Sequence, residues 1–192
     1  MNDIEIRSRR AAARLAEEAD REGLLDVAYG FADSPFGRLM VAMTPRGLVR
    51  LDYPDRDVDL SLQALASEVS PRILEAPNAT DDVRRELEEY FAGKRRRFTV
   101  RVDLSPVFGF RRKVLEQTAR IPFGSVSTYR EVAERAGSPR GMRAAGNALG
   151  SNPVPIVVPC HRVLRSGGAL GGYTGGLDRK VTLLRLEGVL EG

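Results

Sequence analysis

The segment SNPVPIVVPCHRV, residues 151–163, constrains the fold of this chain more than any other stretch. Its prolines are Pro153, Pro155 and Pro159. Proline lacks a backbone N–H and fixes its own φ, so this density excludes a regular helix and predicts extended chain, either an edge strand or a buried crossing. The apolar run 156–158 favours burial. We therefore expect a rigid, buried approach that brings Cys160 to its position with little freedom.

Cys160 and His161 are the only cysteine and the only histidine of the chain, and they are adjacent. Random placement of two single residues would make them neighbours in roughly one such chain in a hundred. A thiol is a weak nucleophile until a base removes its proton, and histidine has the ordinary pKa that suits this task near neutrality. We predict a nucleophile beside its base. A buried, inert cysteine and a structural histidine are the alternatives.

A third group, a carboxylate, is expected to hold the imidazole of His161 in one tautomer. Several carboxylates of the C-terminal half are candidates for this role. Glu187, at the end of the last predicted helix, is the leading one, and the sequence leaves the choice open.

Three glycine pairs recur every four residues after the cysteine, at positions 167–168, 171–172 and 175–176. No GK[ST] follows them, so a P-loop is excluded. The pairs predict a loop whose backbone passes close to a ligand, with Tyr173 as a flat apolar wall. A tight turn without a ligand is the alternative.

One cysteine excludes an internal disulfide, and one cysteine with one histidine excludes a zinc site built from four such ligands. No apolar run approaches the roughly 20 residues of a membrane helix. The charged N-terminus also lacks the apolar core of a secretory signal. We expect a protein of the reducing cytoplasm with no metal, no cofactor and no membrane partner.

The net charge of +4 over 192 residues is unevenly distributed. Residues 1–102 carry 17 basic and 19 acidic side chains, whereas residues 103–192 carry 13 and 7. A basic half beside a mildly acidic one is typical of a chain with one face toward nucleic acid. An unevenly charged, solvated surface explains so small an excess equally well.

The first half predicts a small α+β domain in which no set of catalytic residue types stands out. The predicted elements are a charged helix at 8–22, a three-stranded antiparallel meander within 27–54, helices at 58–69 and 81–92, and a half-buried strand at 97–103. Thr80 is the predicted N-cap of the second of these later helices.

The second half predicts helices and a helix-turn-helix. The predicted helices run from Pro106 to about Arg120, from a capping box at Thr128 and Glu131 to Gly137, from Gly141 to Gly150, and from Asp178 to Glu187. The second and third, with a turn of three to four residues between them, outline the helix-turn-helix. Small residues such as Ala144 and Gly146 make its second helix smooth, and Arg143 is its one long central side chain. Close helix–helix packing is the alternative reading of that smoothness.

NPVPIVVPCHRV, preceded by this helix-turn-helix and followed by GGYTGG and LLRLEG, resembles the O6-alkylguanine-DNA alkyltransferase family, also called methylated-DNA–protein-cysteine methyltransferases. The resemblance covers residues 26–188. It implies an α+β fold with a small ribonuclease-H-like α/β N-terminal domain and an all-helical, winged-helix-like C-terminal domain. The implied divisions are a charged extension (1–24), the α+β domain (25–102) and the DNA-binding, alkyl-acceptor domain (103–192).

The resemblance also assigns roles. Cys160 corresponds to the alkyl acceptor, and His161, through a water and Glu187, to the relay that activates the thiol. Asn152 corresponds to the residue that braces the active-site turn. Tyr129 corresponds to a tyrosine that crowds the target phosphate and donates a proton toward guanine, and Arg143 to an arginine that fills the gap in the base stack. The other implied contacts are Thr128, Ala144 and Gly146 with DNA, and Tyr173, Ser166, Val163 and Thr174 with the base.

By the same resemblance, the protein flips O6-alkylguanine, and also O4-alkylthymine, out of duplex DNA bound through the minor groove. It then transfers the alkyl group irreversibly to itself, once per molecule. A monomer in solution is expected, and cooperative assembly on DNA is left open. Leu115, Thr174 and the 1–22 extension depart from the family pattern. The rivals are a cysteine hydrolase with a Cys-His-Glu triad and a non-enzymatic helix-turn-helix DNA-binding protein.

Overall fold

The computed structural model describes residues 25–191, together with residues 18 and 23. The predicted 8–22 helix and the rest of the 1–24 extension otherwise lie outside the described residues. The chain divides into two compact units. The first runs to Glu89 and includes Thr99–Asp103, and the second holds Tyr90–Phe98 and the chain from Leu104 onward. The division therefore crosses the chain at three points rather than at one boundary after residue 102.

A four-stranded mixed sheet forms the first unit. Its strands are β1 (Val27–Ala32), β2 (Leu39–Thr44), β3 (Gly47–Asp52) and β4 (Ile73–Glu75), in the order β3-β2-β1-β4. The predicted antiparallel meander is confirmed, with Tyr29 opposite Ala42 and Met40 opposite Asp52. The parallel strand β4, which adds to the free edge of β1, was not predicted.

Two helices accompany this sheet, α1 (Val58–Glu68) and α2 (Asp81–Phe91). The Asp57 carboxylate caps α1 by accepting from the Asp59 N–H at 2.8 Å, as expected for an N-terminal aspartate. Leu65 of α1 joins the buried cluster on the sheet. The other buried members of that cluster are Val27, Met40, Ala42 and Val49. The predicted Thr80 cap is corrected, because Thr80 ends a 3₁₀ turn and its hydroxyl donates to the Pro77 carbonyl at 2.8 Å.

The predicted strand at 97–103 is wrong. Only Val102 pairs, in an isolated bridge with Leu48. The Glu86 carboxylate instead accepts from the Thr99 and Val100 N–H groups at 2.7 and 3.2 Å. A buried side chain thus satisfies the backbone donors that a sheet partner would have taken.

The second unit is helical apart from one short parallel pair, β5 (Ser127–Thr128) with β6 (Val163–Leu164). Its helices are α3 (Gly109–Thr118), α4 (Tyr129–Arg135), α5 (Met142–Gly150) and α6 (Leu177–Leu186). Helix α3 begins at Gly109, three residues later than predicted, and Gly109 has a positive φ of 61°. The α4–α5 connection, residues 136–141, is longer than the predicted turn. The α4 capping box is confirmed, with Thr128 and Glu131 in reciprocal bonds.

None of the helices in the described part of the chain is both long and apolar enough to cross a bilayer.

Candidate active site

The segment before the cysteine is buried, as predicted, but it is not extended, so the predicted extended conformation is wrong. Backbone bonds close locally, with the Val158 N–H donating to the Val154 carbonyl at 2.9 Å and the Cys160 N–H to the Val158 carbonyl at 2.8 Å. Ile156 has φ 73°, a conformation that non-glycine residues rarely adopt. The three prolines supply no N–H for a sheet ladder, and the chain folds on itself instead. Cys160 then opens a 3₁₀ turn that ends at Arg162.

The Asn152 side chain holds both ends of the folded segment 154–158 that precedes the cysteine. Its side-chain oxygen accepts from the Val154 N–H at 3.0 Å, and its Nδ2 donates to the Val158 carbonyl at 2.8 Å. The same Nδ2 lies 3.2 Å from the Cys160 Sγ, as a donor to sulfur. Asn152 therefore fixes the backbone of the turn and stabilises negative charge on the thiol.

The Cys160 thiol is only 4% exposed. Burial raises the pKa of Cys160 to about 11, although the hydrogen bond from Asn152 opposes the shift. The thiol is therefore protonated near neutral pH, and its reaction as a nucleophile requires a base.

The His161 imidazole is fully buried, and its Nε2 lies 2.9 Å from Oε1 of Glu187. Burial lowers the pKa of His161, although the bond to Glu187 opposes this. Burial alone would raise the pKa of Glu187, but hydrogen bonds from His161 and Arg162 lower it to about 2. A neutral imidazole facing an ionised carboxylate carries its proton on Nε2. His161 Nδ1 is then a proton acceptor, and it has no hydrogen-bond partner among the described residues.

Glu187 has further partners that the sequence analysis did not identify. The Tyr90 hydroxyl donates to Oε1 at 2.7 Å, and Arg162 donates to both carboxylate oxygens at 2.8 Å. Arg162 also donates to the Ile121 carbonyl at 2.5 Å. A buried carboxylate needs a counter-charge, so Arg162, two residues after the cysteine, could have been suspected. Nothing local in the sequence distinguishes Tyr90 from an ordinary core aromatic residue.

Lys180 is a third unpredicted residue, a fully buried lysine in α6. Its Nζ donates to the Val163 carbonyl at 2.7 Å, the Leu170 carbonyl at 2.5 Å and the Gly172 carbonyl at 3.4 Å. Burial lowers the pKa of Lys180 to about 8, and the negative charge of a Cys160 thiolate opposes that shift. The lysine thus ties β6 and the middle of the glycine-rich loop to α6.

A cavity of about 770 Å³ opens beside Cys160. Seven of its lining residues were predicted to belong to the site. They are Tyr129, Arg143, Gly146, Cys160, Ser166, Tyr173 and Thr174. Lining residues that were not predicted are Arg130, Met142, Asn147, Leu149 and Arg165. The cavity therefore joins the helix-turn-helix and the glycine-rich loop at the cysteine.

The other residues of interest lie outside the lining. Val163 is fully buried, and its carbonyl accepts a hydrogen bond from Lys180 Nζ. Ala144 is on the exposed face of α5, and Thr128 caps α4. Asn152 and the His161–Glu187 pair are buried behind the cysteine.

The small residues of α5 serve two faces. Ala145 and Ala148 are buried, which agrees with close helix packing, whereas Arg143 and Ala144 are exposed. Helix packing and a smooth outer surface are therefore compatible readings of this helix.

The fold and the site together define a protein whose single cysteine lines a cavity beside a helix-turn-helix. Two family models match the chain, the 6-O-methylguanine DNA methyltransferase ribonuclease-like domain over residues 27–104 and the DNA binding domain of the same family over residues 109–189. The chain belongs to this family. As a member of this family it is a transferase that acts in DNA repair by alkyl transfer.

Related proteins are similar in sequence to this chain over most of their length. The methylated-DNA–protein-cysteine methyltransferase of Mycolicibacterium paratuberculosis is 40% identical over 84% of this chain and 92% of its own, and that of Sulfolobus acidocaldarius is 37% identical over 85% and 94%. The crystal structure of a Mycobacterium tuberculosis OGT in complex with DNA is similar with a TM-score of 0.72 and 36% identity, covering 83% of this chain and 92% of that one. The α+β fold with a helical C-terminal part is thereby confirmed.

Proposed function

We propose that this protein repairs O6-alkylguanine, and also O4-alkylthymine, in duplex DNA by transferring the alkyl group irreversibly to Cys160. The observation that carries the proposal is the lone cysteine on the wall of a 770 Å³ cavity, beside a tyrosine wall and in front of a buried His161–Glu187 pair. A cavity of this size admits a purine base. No hydrolytic water need be activated for such a transfer.

The proton of the thiol leaves toward His161. Glu187 keeps the imidazole proton on Nε2, so Nδ1 accepts the thiol proton through a bridging water. The sulfur then attacks the alkyl carbon, an S–C bond forms and the C–O6 bond breaks. The electron pair passes to the base, which is protonated by the Tyr129 hydroxyl at the cavity wall. The product thioether has no good leaving group, so each molecule reacts once.

The base must leave the helix to reach the sulfur, because its exocyclic oxygen is otherwise inside the duplex. The N-cap of α4 presents Thr128 toward DNA, helix α5 presents Ala144 and Gly146, and the smooth α5 surface suits the minor groove. The exposed Arg143 fills the vacated stack. Tyr173 stacks on the flipped base, with Ser166, Thr174 and the Val163 backbone beside it. The DNA complex of the Mycobacterium tuberculosis relative supports binding to DNA.

The proposal includes the setting in which the protein works. A thiol that must stay reduced fits the cytoplasm. One chain supplies every residue assigned to the site, so a monomer is sufficient for the chemistry.

The test is the mass of the intact protein before and after exposure to duplex DNA with a labelled O6-methylguanine. We expect one methyl per protein, located on the peptide that contains Cys160. The matched variant Cys160→Ser should take up no label and still bind the duplex. Release of more than one equivalent of product would indicate a hydrolase, and label that stays on the DNA would indicate a binding protein without transfer.

A further inference from the structure

The cavity beside Cys160 is lined, among the described residues, by positively charged side chains and by no negatively charged ones. Three of its residues are arginines, Arg130, Arg143 and Arg165, and no carboxylate lines it. Within residues 25–191 none of the three guanidinium groups has a hydrogen bond or ion pair with a described side chain. Cations left unpaired at a concave site are typical of sites for anionic ligands.

The three arginines differ in their position in the fold. Arg130 belongs to α4 and Arg143 to α5, the two helices assigned above to DNA. Arg165 follows β6, five residues after the cysteine, next to the base-pocket residue Ser166. Its backbone is held by a turn, since its N–H donates to the Ala169 carbonyl at 2.8 Å.

The charge of Arg165 reaches the reacting end of the cavity. It opposes the rise in the pKa of Tyr129 and adds to the fall in the pKa of Lys180. Both directions agree with the position of Arg165 in the wall of the cavity that Cys160 and Tyr129 also line. A guanidinium there can form a bidentate pair with a carboxylate carried by the group that Cys160 attacks.

We propose that Arg165 makes this protein prefer O6-alkylguanine lesions whose alkyl group is anionic, of which carboxymethyl is the simplest. The inference rests on the proposed function. Cys160 attacks the methylene carbon, the S–C bond forms, and the C–O6 bond breaks with its electron pair going to guanine, which takes up a proton. The carboxylate is unchanged, and the product is S-carboxymethylcysteine. The step needs no further reactant.

The experiment compares two lesions of equal size in one duplex sequence, O6-carboxymethylguanine and its neutral amide analogue O6-carbamoylmethylguanine. Single-turnover rate constants are measured with the full chain at low and high salt. We expect the wild type to react about tenfold faster with the anionic lesion, a modest preference because Arg165 is exposed, and less at high salt. Arg165→Gln should abolish the ratio, and Arg165→Lys should keep part of it.

Arg130→Gln is the matched control, since it removes a cation from the same cavity on the helix side. It should weaken DNA binding and leave the ratio of the two rate constants unchanged. Equal wild-type rates would overturn the proposal, as would an Arg165→Gln variant that slows both lesions alike. A duplex with O6-methylguanine runs in parallel: loss of methyl transfer in the wild type contradicts the proposed function itself, whereas normal methyl transfer with no charge preference contradicts only the role of Arg165.

Discussion

The two sides of Cys160 are built in opposite ways. Behind it, the side chains of His161, Arg162 and Glu187 are buried and joined by hydrogen bonds of 2.8–2.9 Å. In front of it, the cavity arginines are without partners among the described side chains, and glycines approach the walls closely. A satisfied buried network has one low-energy arrangement, and it can set the protonation of a nucleophile. Unpaired groups at a cavity are available to a ligand. We therefore propose that the rear side controls reactivity and the front side controls selection.

The largest effect is expected from Glu187→Gln, which breaks the rear side. The amide cannot balance Arg162, and loss of one partner of a buried ion pair costs about 3–5 kcal/mol in the free energy of unfolding. We also expect methyl transfer to slow by about 10²–10³-fold, because the imidazole loses its orienting carboxylate. Urea unfolding and single-turnover labelling measure the two effects.

Glu116→Gln is the matched control for this change. Glu116 pairs with Arg112 at 2.9 Å, but both side chains are more than 40% exposed. Such a surface pair contributes at most about 1 kcal/mol. Equal losses of stability in the two variants would contradict the importance assigned to the buried network.

The next effect concerns the front side, through Arg143→Ala. If Arg143 fills the gap left by the flipped base, we expect repair of duplex DNA to slow by about 100-fold, the equivalent of a few kcal/mol of unstacking. Reaction with free O6-alkylated guanine needs no flipping and should change little. Rates with the two substrates are compared for one preparation of the variant. Equal slowing with both would show that Arg143 acts on the chemistry rather than on the stack.

The elements that the sequence predicted well depend on neighbours along the chain. The α4 capping box joins residues three apart, and the β1–β3 meander follows turn residues between alternating runs. The failures share a different cause. At 97–103 and 151–159 the backbone donors and acceptors are satisfied by Glu86 and Asn152 or by local turns, which hydrophobic periodicity does not register.

Site residues could be predicted where their chemical type identifies them. They were missed where their role depends on contacts that only folding creates. Cys160 and His161 follow from residue type and adjacency, and the Glu187 contact agrees with the leading candidate for the carboxylate. Tyr90 donates to Glu187 across 97 residues of chain, a contact that only the folded unit creates. Lys180 reads as a surface lysine until its three carbonyl acceptors are known.

The pH dependence of the free energy of unfolding tests the rear side further. The pKa of Glu187 is depressed to about 2 from an ordinary 4.5, so its stabilising contribution is present above pH 4.5 and is lost as the pH falls toward 2. A shift of this size corresponds to about 3 kcal/mol. The free energy of unfolding of the wild type should therefore decline more steeply across this window than that of Glu187→Gln. Parallel declines, measured by urea unfolding at several pH values, would mean that folding does not depress the pKa of Glu187.

The smallest effect tests the close packing of the front side. A Cβ on Gly171 would lie 2.9 Å from Tyr129 ring and hydroxyl atoms, and its φ of +68° is itself unfavourable for other residues. Gly168 has φ +85° with nothing within 4 Å of its Cβ position, so Gly168→Ala carries the backbone strain without the contact. We expect each alanine to cost about 1 kcal/mol through its backbone.

Only Gly171→Ala should also displace Tyr129, whose hydroxyl donates to the Gly172 carbonyl at 3.2 Å. Because Tyr129 is the proposed proton donor to guanine, we expect methyl transfer in Gly171→Ala to fall about tenfold below that of Gly168→Ala. Single-turnover rates with the methylated duplex measure the difference. Identical rates would mean that the cavity wall tolerates movement of the tyrosine, and the front side would then be less rigid than its glycine contacts require.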